Sequence, residues 1–179
     1  FIGDAPKGLD ALYCKSSAYL AINTEGKSYF GGLIGRLTDG NVDYCRSEGI
    51  VEAGNASHVG GLIGYASGSA AGMVNITNSK VILTAGDSSY DIKGKNCVGG
   101  LIGWVYSNAN KAVLITGCSA AADVYLYSAN SSYTNAGGLI GIFEGSGSDL
   151  DEADVSGCFS EGSVYSDQGF AGGLIGKLT

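Results

Sequence analysis

A single histidine, His58, and the lack of any H-E-x-x-H, G-x-S-x-G or C-x-x-C spacing deprive this chain of most hydrolytic and zinc chemistry. A zinc peptidase would need H-E-x-x-H for its ligands and general base, and a Ser–His or Cys–His pair would have to use the one imidazole. His58 lies just ahead of Val59-Gly60, where a surface turn is expected. The net charge is −7, from 17 acidic and 10 basic residues with no basic patch, so nucleic acid is not an expected partner. No apolar run approaches the ~20 residues of a membrane-spanning helix, and no span is expected. Proline occurs once and there is no G-X-Y period, which excludes collagen although 31 residues are glycine.

What the sequence does have is one block written five times. Gly31-Gly32-Leu33-Ile34-Gly35 returns at Gly60–Gly64, Gly99–Gly103, Gly137–Gly141 and Gly172–Gly176, each preceded by Phe30, Val59, Val98, Ala136 or Ala171. The copies lie 29, 39, 38 and 35 residues apart, an elastic period that belongs to a stacked repeat. GGLIG is not a phosphate loop: it lacks the Lys-Ser/Thr of a P-loop and the G-x-G-x-x-G spacing. With 45% apolar residues, the 179-residue chain can bury a core and reads as a single repeat domain, a fragment of a longer protein.

Between copies a second block recurs: ALYCKSSAYLAIN from Ala11, VDYCRSEGIVEAG from Val42, VNITNSKVILTAG from Val74, ITGCSAAADVYLY from Ile115 and VSGCFSEGSVYSD from Val155. Aligned without gaps, it gives a cysteine column of Cys14, Cys45, Thr77, Cys118 and Cys158. Two residues on stand Ser16, Ser47, Ser79, Ala120 and Ser160, and six residues on stand Leu20, Val51, Leu83, Val124 and Val164. Small or apolar residues alternate with Lys15, Arg46, Glu48, Lys80 and Glu161, the period of a strand with one buried face. The blocks keep their length while the segments between them grow, so insertions are expected in turns.

The fold expected is all-β: a parallel β-helix-like solenoid with about three short strands per repeat, one through GGLIG and two through the cysteine block. Coils would stack ~4.8 Å apart. The glycines would serve positive φ at a corner and close backbone approach. Leu33 and Ile34 have opposite strand parity, so both reach the core only if a bulge or corner intervenes.

Repeats of GG-L-[IV]-G followed by V-x-x-C/N-S-x-G-x-V resemble GLUG repeats, from about Ala11 to Thr179. Such repeats occur in large secreted bacterial proteins, including adhesin-like surface proteins and the non-catalytic region of immunoglobulin A peptidases. The resemblance implies an extracellular, cell-surface or secreted, non-enzymatic structural or adhesive segment. The alternative is a substrate-recognition or spacer region of a peptidase whose active site lies elsewhere. It implies no cofactor; the partners would be host or matrix proteins or glycans, and neighbouring domains.

Four cysteines in one column suit a ladder of buried thiols, whereas Cys97, outside it, is the better candidate for a reactive or pairing thiol. In the acidic run Asp149-Leu150-Asp151-Glu152-Ala153-Asp154, the carboxylates of Asp149, Asp151 and Asp154 could gather a calcium ion. A solvated acidic loop is the default reading and no metal is expected, since no EF-hand or nonapeptide pattern is present. Tyr65 and Trp104 follow GGLIG where other repeats have Arg36, Ile142 and Lys177, a variable and partly charged position expected to face solvent. With Tyr106 they are the candidate binding residues, because exposed aromatics anchor proteins and sugar rings; Tyr125, Tyr127 and Tyr133 lie in the same central unit. The competing view is that these rings only cover strand faces and corners.

Overall fold

The computed structural model describes residues 2–22, 26–54, 56–68, 72–83, 91–108, 113–127, 134–146 and 154–179. Its described elements are β-strands, and no described helix is long and apolar enough to cross a membrane. All strand pairings are parallel and join corresponding strands of successive coils. The fold is the expected β-helix-like solenoid, divided more finely than expected. One coil runs through Gly40–Asp43, Arg46–Ser47, Val51–Ala53, Ala56–Gly60 and Ile63–Ser67. Each of these five strands belongs to its own ladder, four ladders of five strands and one of six. Five strands per coil, and not three, arise because the chain turns inside both blocks.

The first turn is GGLIG itself. Strands end at Gly31 and resume at Ile34, leaving Gly32-Leu33 as a corner. Here the Leu33 and Ile34 N–H groups both donate to the Leu62 carbonyl, each at 3.0 Å. Leu62 and Ile63 do the same to Leu101 O, Leu101 and Ile102 to Leu139 O, and Leu139 and Ile140 to Leu174 O. A bend that aims two consecutive amides along the axis releases their side chains from strand alternation. Hence Leu33 and Ile34 are both buried, as are Leu62 and Ile63, Leu101 and Ile102, and Leu139 and Ile140. The leucines form a continuous hydrogen-bonded ladder, in which Leu174, in the last coil, is 37% exposed.

The glycines are needed for space alone. None of those in GGLIG has positive φ, contrary to half of the expectation. A Cβ on Gly60 would lie 2.0 Å from Ile63 O, and one on Gly61 would lie 2.2 Å from Gly100 O in the next coil. A Cβ on Gly103 would lie 2.6 Å from Val59 N on the facing ladder. All three distances are shorter than any real carbon contact, so backbone packs on backbone at this corner.

Positive φ occurs instead at a second corner, one residue before the cysteine column. Tyr13 (φ 54°), Tyr44 (50°), Asn78 (49°), Gly117 (64°) and Gly157 (61°) are all left-handed. Their series corrects the sequence alignment. Asn78 precedes Ser79, so Ser79, and not Thr77, occupies the cysteine column of the third coil. Strand register agrees: Ile76 pairs with Val42 and Ile115, Thr77 with Asp43 and Thr116, and Val81 with Ser47 and Ala120. Ile92, and not Leu83, stands with Val51 and Val124. The third block therefore holds extra chain between Lys80–Ile82 and Ile92–Gly94, inside a block that was expected to keep its length. A two-residue slip preserves strand parity, so the gapless alignment kept its alternation while misplacing the whole coil.

The column now has a physical rationale. At the left-handed turn the Cys45 N–H donates to Ser79 Oγ at 3.0 Å, and the Cys118 N–H to Cys158 Sγ at 3.3 Å. Downward, Cys45 Sγ donates to Ala11 O (3.3 Å), Cys118 Sγ to Ile76 O (3.3 Å) and Cys158 Sγ to Ile115 O (3.4 Å). The site takes a small side chain that both donates and accepts, which Cys and Ser do.

Substituting Gly61→Ala should cost more than about 3 kcal/mol, because the added methyl meets backbone that has nowhere to go. Gly173→Ala should change stability by less than about 1 kcal/mol, since nothing lies within 4 Å of a Cβ there. Urea unfolding of the two variants checks this, and equal effects would contradict the corner geometry.

Candidate functional site

Glycine removes side chains on both sides of the first corner, and the residues flanking it close over the gap. Two ladders contribute. One stacks Tyr29, His58, Cys97 and Asn135 ahead of the corner; the other stacks Arg36, Tyr65, Trp104 and Ile142 after it. The rings meet across the two ladders. His58 is sandwiched between Tyr29 (centroids 5.1 Å, 26°) and Trp104 (4.6 Å, 29°). Tyr65 lies against Tyr29 at 4.9 Å and edge-on to Trp104 at 5.4 Å, and Tyr106 adds an edge contact to Trp104 at 6.4 Å. Offset and edge-to-face pairs of this kind contribute roughly 0.5–1.5 kcal/mol each beyond their buried area.

The structure thus brings Tyr65, Trp104 and Tyr106 together, but not as bare anchors: all three are half-buried. Burial pushes the Tyr65 phenol above its ordinary range. His58 is corrected more sharply. It is 6% exposed at the centre of the stack, not in a surface turn. Sequence reasoning missed it and Tyr29 because the repeat was read from its first glycine. Two residues upstream, Tyr29, His58, Cys97, Asn135 and Phe170 form a column of their own. Beside the stack, the Arg36 guanidinium grips Asp4 through two 2.7 Å hydrogen bonds, Nε to Oδ1 and Nη2 to Oδ2. Of the other tyrosines named, Tyr125 and Tyr127 stack at 6.4 Å away from this cluster, and Tyr133 lies outside the described residues.

Cys97 is corrected too. It sits in the His58 column at 1% exposure, and burial pushes its thiol up to about 12. A thiol so hard to ionise is a poor nucleophile. All five cysteines are thiols and none is in a disulfide. Cys45 and Cys118 are buried, Cys118 also raised to about 12, while Cys14 and Cys158 in the end coils are half-buried.

Of the acidic run, Asp149 and Asp151 lie outside the described residues, and Asp154 is exposed at the start of the strand Asp154–Ser156. A cavity of about 180 Å³ is lined in part by Asp91, Asp123 and Glu161. Two of these carboxylates are committed to backbone: Asp91 Oδ2 accepts the Asp123 N–H at 2.9 Å, and Asp123 Oδ1 accepts the Ser163 N–H at 2.6 Å. Burial raises the Asp91 carboxyl above the usual range, against the Asp123 N–H bond, which lowers it. Among the described residues no group of three His, Cys, Asp or Glu side chains could hold a metal ion.

Comparisons of the chain with protein-family models, with curated proteins and with solved structures return no match.

Thiol chemistry tests the burial. In native protein near pH 8, Cys45, Cys97 and Cys118 should resist a thiol reagent for hours, and unfolding in guanidinium should expose all five. Fast native labelling of Cys97 would contradict the position assigned to it.

Proposed function

We propose that this chain is a non-enzymatic, extracellular structural and adhesive segment of a bacterial surface protein of the GLUG-repeat kind. The observation that carries this reading is the placement of its aromatic residues. Among the described residues the interior is packed mainly with buried Leu, Ile, Val and Ala, whereas Tyr29, His58, Tyr65, Trp104 and Tyr106 lie outside that core. A stacked solenoid is a rigid rod, and a half-buried aromatic band on its flank offers amphipathic contact area whose rotamers are already fixed, which lowers the entropy cost of binding. Partners of this band would be host or matrix proteins or glycans.

The test pairs adhesion with stability. Trp104→Ala should cost about 1–3 kcal/mol, because the indole stacks on His58, and should lower binding to arrayed host glycans and matrix proteins about tenfold or more. Trp104→Phe, which keeps a ring in the stack, should restore most of the stability. A folded Trp104→Ala protein with undiminished adhesion would overturn the assignment of this band.

A further inference from the structure

The second corner carries different residues in the two halves of the rod. In the first three coils the left-handed residue is followed two positions later by a cation: Tyr13 and Lys15, Tyr44 and Arg46, Asn78 and Lys80. In the last two coils the same positions hold Gly117 and Ser119, then Gly157 and Phe159. The fold is satisfied by glycine there, and left-handed backbone disfavours a Cβ. Even so, Tyr13 and Tyr44 stand at this corner, 75% and 52% exposed, their rings stacked at 5.2 Å and 13°. A strained backbone bearing exposed large rings points to a use beyond folding.

Register aligns the cations as well. Lys15 pairs with Arg46, and Arg46 with Lys80, in one parallel ladder. Three of the chain's ten basic residues thereby stand in a line ~4.8 Å apart on a protein of net charge −7. The chain separates these residues by about thirty positions, which is why no basic patch is visible along it. Glu48 braces two of them, by a 2.7 Å contact with Lys15 and by an ion pair with Arg46. Lys15, then Arg46, holds its carboxyl below the usual range. The line remains net positive.

We propose that the outer face formed by Tyr13, Tyr44, Lys15, Arg46 and Lys80 binds a linear acidic polysaccharide, lying along the rod axis with its carboxylate or sulfate groups on the cations and a sugar ring against the tyrosines. This deepens the adhesive reading by naming a ligand class and rests on it, at a face separate from the Trp104 band. The coil spacing is comparable to the length of one sugar ring, so a periodic polyanion meets a periodic row of charges. Three cations beside two stacked, exposed tyrosines suit a few anionic groups and one sugar ring of a glycan segment, whereas the Glu48 and Asp43 carboxylates at this corner of an acidic protein oppose the longer phosphate contact of a nucleic acid.

Titration of the full chain with a heparin-derived hexasaccharide at low salt, followed by calorimetry, tests this. Saturable binding should weaken about thirtyfold in Lys15→Gln/Arg46→Gln/Lys80→Gln and about tenfold in Tyr44→Asn, the residue the third coil uses at that corner. Melting temperatures report whether each variant is folded. Lys93→Gln/Lys95→Gln, which changes net charge away from the ladder, should bind as the parent does. Absence of binding by the parent protein, equal loss in the Lys93/Lys95 variant, or equal affinity for single-stranded DNA of matched charge would each overturn the site. Hexasaccharide binding lost on Trp104→Ala but kept in the ladder variant would overturn this site and leave the adhesive reading standing. Ladder-dependent binding without any array adhesion would do the reverse.

Discussion

Everything in this molecule depends on a corner where one carbonyl accepts two consecutive amides of the coil beneath it. Leu62 O takes the Leu33 and Ile34 N–H groups, and the arrangement repeats through Leu174. Because both amides point along the axis, both side chains enter the core, and a five-residue motif fills the interior with two large aliphatics per coil. The geometry brings backbones so close that a methyl group on any glycine of the motif except Gly173, in the last coil, would overlap a neighbouring backbone atom. Sequence identity at this corner is therefore a packing requirement. The aromatic stack is its by-product, since rings on either side close over the space that glycine leaves.

Elsewhere the coil turns by letting side chains stand in for backbone. At the cysteine column a thiol or hydroxyl accepts the N–H that the left-handed turn misdirects. At a third corner Asp91 and Asp123 accept the N–H of the residue one coil above. These substitutions keep buried polar groups paired where the strand ladders are interrupted, which is what a coil of very short strands requires. They also explain why cysteines in this chain are packing residues with hydrogen-bonding capacity and not reactive centres.

Much of the fold was legible in the sequence because GGLIG is both repeated and undegenerate. It gave the stacking direction, the leucine ladder and the parallel β class without further information. The third coil was not legible in the same way. Its cysteine is a serine, and Thr77, two residues earlier, keeps the alternation intact, so parity alone accepted the wrong register. Asn78 was the available signal, as a residue that tolerates left-handed backbone beside Gly117 and Gly157. The candidate site was half legible. Tyr65, Trp104 and Tyr106 were found from their column, but the burial of His58 depends on rings from coils that lie far apart in sequence.

Amide hydrogen exchange tests the corner most directly, residue by residue. Leu62 with Ile63, and Leu101 with Ile102, should exchange as pairs, both members opening only with global unfolding. An ordinary turn would leave one amide of each pair facing solvent. If either member exchanges at the rate of an exposed loop, the doubly accepted carbonyl does not exist, and the stacked corner on which this account rests is wrong.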